Sequence, residues 1–119
     1  MAMKDDLGRR GEQLAVDHLQ GLGYRILDRN WRCTTGELDI VAAEDRELVI
    51  VEVKTRAGEA FGDPLEAVTD AKLTRLCVLA GQWRRAHPQV RATGSRIDLI
   101  GVIAPPRGTP RIDHLKAAA

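Results

Sequence analysis

The chain has 119 residues, 44% of them hydrophobic and only four aromatic (Tyr24, Trp31, Phe61, Trp83). That suits one small domain with an aliphatic core and no base-stacking platform. Eighteen Lys and Arg against 17 Asp and Glu leave a net charge of +1, so no global attraction to nucleic acid or anionic membrane follows.

In chain order, residues 5–22 predict a helix whose apolar stripe includes Leu7, Leu14, Ala15, His18, Leu19 and Leu22. Gly8 and Gly11 weaken it by roughly 1 kcal/mol each, which points to close approach by another element. Gly21 and Gly23 end it. Strands are predicted at Tyr24–Trp31, Gly36–Ala43 and Leu48–Thr55, the last being the most β-branched and therefore central. Residues 56–63 read as a loop. Asp63-Pro64-Leu65-Glu66 is a strong helix start (N-cap Asp, Pro at N1, Glu at N3), predicting a helix from Pro64 to about Arg85. Further strands follow at Arg96–Ile103 and Arg111–Leu115, and residues 116–119 read as a frayed tail. The order predicts a single α/β domain over 1–119, its core about 5–104, with a mixed sheet flanked by helices.

Other features narrow the function classes. Cys33 and Cys77 are too far apart for a zinc motif or a disulfide framework, and read as a strand or loop thiol and a small core hydrophobe. His18, His87 and His114 are scattered without ligand spacing. Trp83 falls on the core stripe of the second helix. No phosphate-binding glycine loop, dinucleotide fingerprint or Ser-His-Asp pattern is present. With no apolar run of about 18 residues and no apolar leader in MAMKDDLGRRGE, a cytoplasmic protein without membrane association is expected.

The net charge hides a pattern. Residues 1–35 carry 6 basic and 5 acidic side chains, residues 36–70 carry 3 and 10, and residues 71–119 carry 9 and 2. An acidic middle beside a basic final stretch fits either ordinary solvated faces or a metal-holding carboxylate cluster beside a polyanion surface. On the third strand Leu48, Ile50, Glu52 and Lys54 share a face. Closing the hairpin with a two-residue turn at Asp45-Arg46, or with a four-residue loop, pairs positions that sum to 91. Asp39 then stands opposite Glu52, and Glu37 opposite Lys54. Two opposed carboxylates repel unless a proton or cation lies between them. Mg²⁺ or Mn²⁺ fits such oxygen donors and activates water toward a phosphate ester. Lys54, one pleat away, is placed to serve the water or the transition state. Solvated cross-strand ion pairs are the competing reading.

Gly36-Glu37-Leu38-Asp39-Ile40-Val41-Ala42 and Val51-Glu52-Val53-Lys54-Thr55-Arg56 resemble the YraN-type family of small bacterial proteins. Gly11-Glu12, Pro64-Leu65-Glu66-Ala67-Val68, Lys72, Arg75 and Trp83 extend the likeness over roughly residues 5–104. That family is similar in fold to archaeal Holliday junction resolvases of the PD-(D/E)xK nuclease superfamily, with Leu38 standing where the superfamily name has Pro. The resemblance implies a restriction-endonuclease-like fold and metal-dependent hydrolysis of DNA, branched or structured rather than sequence-specific. It implies catalytic roles for Glu12, Asp39, Glu52 and Lys54, with Asp39, Glu52 and Glu12 on the metal. Lys72, Arg75 and Arg56 are implied DNA contacts, Glu37 is a third ligand or a partner of Lys54, and a homodimer is implied as well. The alternative is a catalytically silent nucleic-acid-binding or protein-interaction module on the same fold.

Overall fold

The computed structural model describes residues 3–119, with side chains from Asp6 onward apart from that of Phe61. Helix α1 (Met3–Gly21) is followed by strands β1 (Arg25–Cys33), β2 (Gly36–Glu44) and β3 (Glu47–Arg56). Helix α2 (Asp70–Ala86) then precedes β4 (Gly94–Ile103) and β5 (Arg111–Leu115). The five strands form one sheet in sequence order. β3 and β4 are parallel, joined by the crossover that contains α2, and every other neighbouring pair is antiparallel. This is the predicted α/β architecture, compatible with a restriction-endonuclease-like fold.

Helices cover the two faces of the sheet. Ala15, Val16 and Leu19 of α1 pack on Ile40, Ala42, Val49, Val51, Ile100 and Val102. Leu76, Leu79, Ala80 and Trp83 of α2 pack on Val41, Leu48, Ile50, Ile97 and Leu99. β3 is thus buried on both sides, as its run of Val, Ile and Leu requires. Trp83 is core, and its indole N–H is satisfied by Asp28 at 2.9 Å. Gly11 lets α1 approach β3 closely: a Cβ there would lie 1.9 Å from Thr55 Oγ1. Gly8 makes no such contact.

Four expectations need correction. Leu22 leaves the helical stripe, because α1 stops at Gly21 and the turn through Gly23, at φ +93°, leaves Leu22 56% exposed. The single helix expected from Pro64 divides. Asp63 does cap, accepting the Leu65 N–H at 2.9 Å, but it caps only a 3-10 turn, Pro64–Ala67. Val68 is then extended, and Thr69 provides a second cap by accepting the Lys72 N–H at 3.1 Å. Cys77 lies on the exposed side of α2 rather than in the core. The tail is not frayed: the Ala118 N–H donates to the Ile97 carbonyl and the Ile97 N–H to the Ala119 carbonyl, both at 2.8 Å.

Candidate functional site

The β2–β3 hairpin has the expected register, with pairs from Glu44↔Glu47 to Ile40↔Val51 across a two-residue turn in which Asp45 has φ 54°. The ladder stops one pair short of Asp39 and Glu52. On the other side the β1–β2 ladder skips from Arg29↔Ile40 to Trp31↔Leu38, so Asp39 is unpaired on both sides. Its carboxylate takes over part of the ladder's work, Oδ2 accepting the Val53 N–H at 2.9 Å. Asp39 and Glu52 therefore come together where two strands part, rather than as an ordinary cross-strand pair.

The electrostatics follow from that position. Burial, then the negative charge of Glu52, push the Asp39 carboxyl up to about 8. The Val53 N–H opposes the shift, while a shared hydrogen bond with Glu52 and the charge of Glu12 add to it. Glu52 is only 5% exposed, and its Oε2 lies 3.4 Å from the Lys72 ammonium and 3.8 Å from that of Lys54. Lys72 belongs to α2 and owes its place to the Thr69 cap, so the helix start missed in the sequence positions a cation on the buried carboxylate.

A cleft of about 740 Å³ opens beside the pair. Glu12, Glu37, Asp39 and Lys54 line it together with Arg9, Arg32 and Arg56. Glu12 is on the cleft wall as expected, but its Oε1 accepts from Asn30 Nδ2 at 2.9 Å and from the Arg29 guanidinium at 3.4 Å. Asn30 has φ 53°, a left-handed residue inside β1 that turns its amide to Glu12. Glu37 pairs with Arg32 at 3.0 Å, not with Lys54. Arg75 is exposed on α2, and neither it nor Lys72 lines the cleft. Among the described residues no three His, Cys, Asp or Glu side chains come together at metal-holding distance.

Sequence reasoning missed Arg29 and Asn30, the partners of Glu12, and Arg9 and Arg32, which add basic charge to the cleft. Alternation in β1 gave no sign of a left-handed Asn. It also missed a second polar centre, in which His18 and His114 meet at 3.1 Å and His114 bonds the fully buried Asp98 at 2.8 Å.

A family model described as "Uncharacterised protein family UPF0102" matches residues 11–102. The chain belongs to the UPF0102 family. A UPF0102 protein of Clavibacter michiganensis subsp. michiganensis is 52% identical over 118 residues, covering 99% of both chains. One from Arthrobacter sp. (strain FB24) is also 52% identical, covering 98% of both. One from Streptomyces coelicolor is 48% identical, covering all of this chain and 92% of that protein. Among the described residues no helix is long and apolar enough to cross a membrane.

Proposed function

We propose that this protein is a divalent-metal-dependent endonuclease of the PD-(D/E)xK type, hydrolysing phosphodiester bonds in branched or structured DNA. The observation that carries the reading is the Asp39–Glu52 carboxylate pair, held where two strands part, at the edge of a cleft walled by Lys54, Arg9, Arg32 and Arg56. The donor set suits Mg²⁺ or Mn²⁺: both groups offer oxygen, and a doubly positive ion lets both ionise at neutral pH. Such an ion, when bound, supplies Lewis acidity to a phosphoryl oxygen and lowers the pKa of a water.

The chain's own groups do the rest. The Val53 N–H fixes the orientation of Asp39, and Lys72 holds Glu52 against α2. Lys54, a third exposed and lining the cleft, sets a positive charge beside a phosphate whose negative charge grows in the transition state. Arg9, Arg32 and Arg56 contact backbone phosphates, which position the substrate without reading its sequence. Hydrolysis adds water across the P–O bond, the hydroxyl going to phosphorus and the proton to the leaving oxygen.

One observation favours the silent binding module: Glu12 is engaged by Arg29 and Asn30 rather than joined to the pair. Cleavage of labelled duplex, single-stranded, flap and four-way-junction DNA, with Mn²⁺, Mg²⁺ or EDTA, separates the two. The nuclease cuts only with metal, prefers a branched substrate, and loses roughly 100-fold or more in Glu52→Gln and Asp39→Asn. A folded protein that retains DNA yet cuts nothing under any condition is the binding module.

A further inference from the structure

The second polar centre lies on the α1 face of the sheet, toward the β2–β3 turn. Asp98 stands two positions before Ile100 and four before Val102, both buried under α1, yet it is 0% exposed and ionisable. It is fully satisfied. Arg96 Nε donates to Oδ1 at 2.9 Å, the Ala117 N–H donates to the same oxygen at 3.0 Å, and His114 Nε2 meets Oδ2 at 2.8 Å. A carboxylate so fixed takes a hydrogen bond from His114 Nε2–H, which turns Nδ1 to the other side of the ring.

Nδ1 faces His18. His18 Nε2, from the last turn of α1, is 3.1 Å from His114 Nδ1, with the ring planes at 71°. Two nitrogens bound to one tetrahedral metal at 2.0–2.1 Å stand about 3.3–3.4 Å apart. A carboxylate on the far nitrogen of a ligating imidazole is the usual outer support of such a ligand. His18 is half-buried, so the nitrogen pair is open to solvent on one side. No group of three ligating side chains is present here among the described residues, so protein supplies two positions and leaves the others open.

We propose that His18 and His114 form a two-imidazole site for a late transition-metal ion such as Zn²⁺, with Asp98 holding His114 in the ligating tautomer. The ion replaces the hydrogen bond between the rings. In the bound state both rings are neutral imidazoles, His114 keeping its proton on Nε2 and His18 carrying its proton on Nδ1, with any further ring proton leaving to solvent. The donors are nitrogen, so the site selects Zn²⁺, Ni²⁺ or Cu²⁺ and rejects Mg²⁺, the reverse of the carboxylate pair. Its ligands come from α1 and the edge strand β5, so occupancy ties those two elements together.

The test uses the metal-free full chain with Cys77→Ser, since that thiol is exposed. Zn²⁺ is titrated by calorimetry and by thermal shift, alone and with excess Mg²⁺. One equivalent is expected to bind and raise Tm, with binding lost in His18→Ala, which removes one of the two protein ligands, and unchanged in Asp39→Asn. His18 is half-buried, so its truncation leaves Asp98 and Arg96 paired. Imidazole ¹⁵N resonances on the unsubstituted histidine pair give an independent reading: Zn²⁺ moves His18 Nε2 and His114 Nδ1 and leaves His87 in place. Equal binding by His18→Ala, loss of binding in Asp39→Asn, competition by Mg²⁺, or no binding by the folded protein each overturns the proposal.

Discussion

At the scale of single residues, Asp39 gives the sharpest pH signature. Its carboxyl titrates near 3.8 when unfolded and is raised to about 8 when folded. Between those values the native chain keeps a proton that the unfolded chain has released. The contribution to stability is therefore full below pH 4 and is lost as pH rises through 8. Asp39→Asn removes that slope. The difference in Tm between wild type and Asp39→Asn, measured from pH 5 to 8.5 in EDTA, moves steadily against wild type. Mn²⁺ above pH 7 raises Tm in wild type more than in the variant. A pH-independent difference contradicts the assignment. The two helix glycines make a second contrast. Gly11→Ala drives a Cβ into Thr55 and costs about 1–3 kcal/mol, whereas Gly8→Ala meets nothing and gains about 0.5–1 kcal/mol of helix stability. Urea unfolding of the two variants reads both signs.

The turn signal at Glu44-Asp45-Arg46-Glu47 made the register of Asp39 and Glu52 legible, since a two-residue turn leaves no freedom in which residues face. The parting of the strands was not legible. It depends on Asp39 bonding the Val53 N–H and on Asn30 in a left-handed conformation, and neither leaves a mark in hydrophobic alternation. The meeting of His18 and His114 was hidden for a related reason: 96 positions separate them, and only the order of the sheet closes that distance.

At the scale of elements, caps and ends decide placement. Thr69 starts α2, a signal masked by the stronger Asp63-Pro64 signal six residues earlier. Thr69→Ala is expected to lower stability by about 1 kcal/mol in urea unfolding and to loosen Lys72 from Glu52. The C-terminal segment carries more than its composition suggests. Three alanines and a lysine read as a frayed tail, yet Ala117 donates to Asp98 and Ala118 and Ala119 bond Ile97. Removing residues 116–119 strips one donor from a fully buried carboxylate. The expected loss is about 1–3 kcal/mol, seen as a lower urea midpoint with the slope of the transition preserved.

At the scale of the whole molecule, charge is distributed rather than massed. The cleft sets Arg9, Arg32, Lys54 and Arg56 against Glu12, Glu37 and Asp39. Four basic groups on phosphates predict a slope of log K against log salt of about −3 to −4 for DNA, shallow for a DNA-binding protein. Fluorescence anisotropy over a salt series measures it, and a catalytically inert divalent ion such as Ca²⁺ is expected to tighten binding by offsetting the carboxylates. A salt-independent signal contradicts a phosphate-contacting cleft.

The strand order β1-β2-β3-β4-β5 has a consequence for how the chain acquires its shape. Both carboxylates and Lys54 lie in the opening meander, whose strands pair with their immediate neighbours in sequence. Among the described strands the one pairing distant in sequence is β3 with β4, across residues 57–93. Loop-closure entropy falls on that step, so it sets the pace of folding. Truncations in the β3–β4 seam, such as Ile100→Ala, are expected to slow refolding in stopped-flow experiments. Truncations in β1, such as Leu27→Ala, are expected mainly to speed unfolding. The nascent chain then makes the hairpin of Asp39 and Glu52 first and encloses it last, so the two acidic groups stay hydrated until the crossover docks.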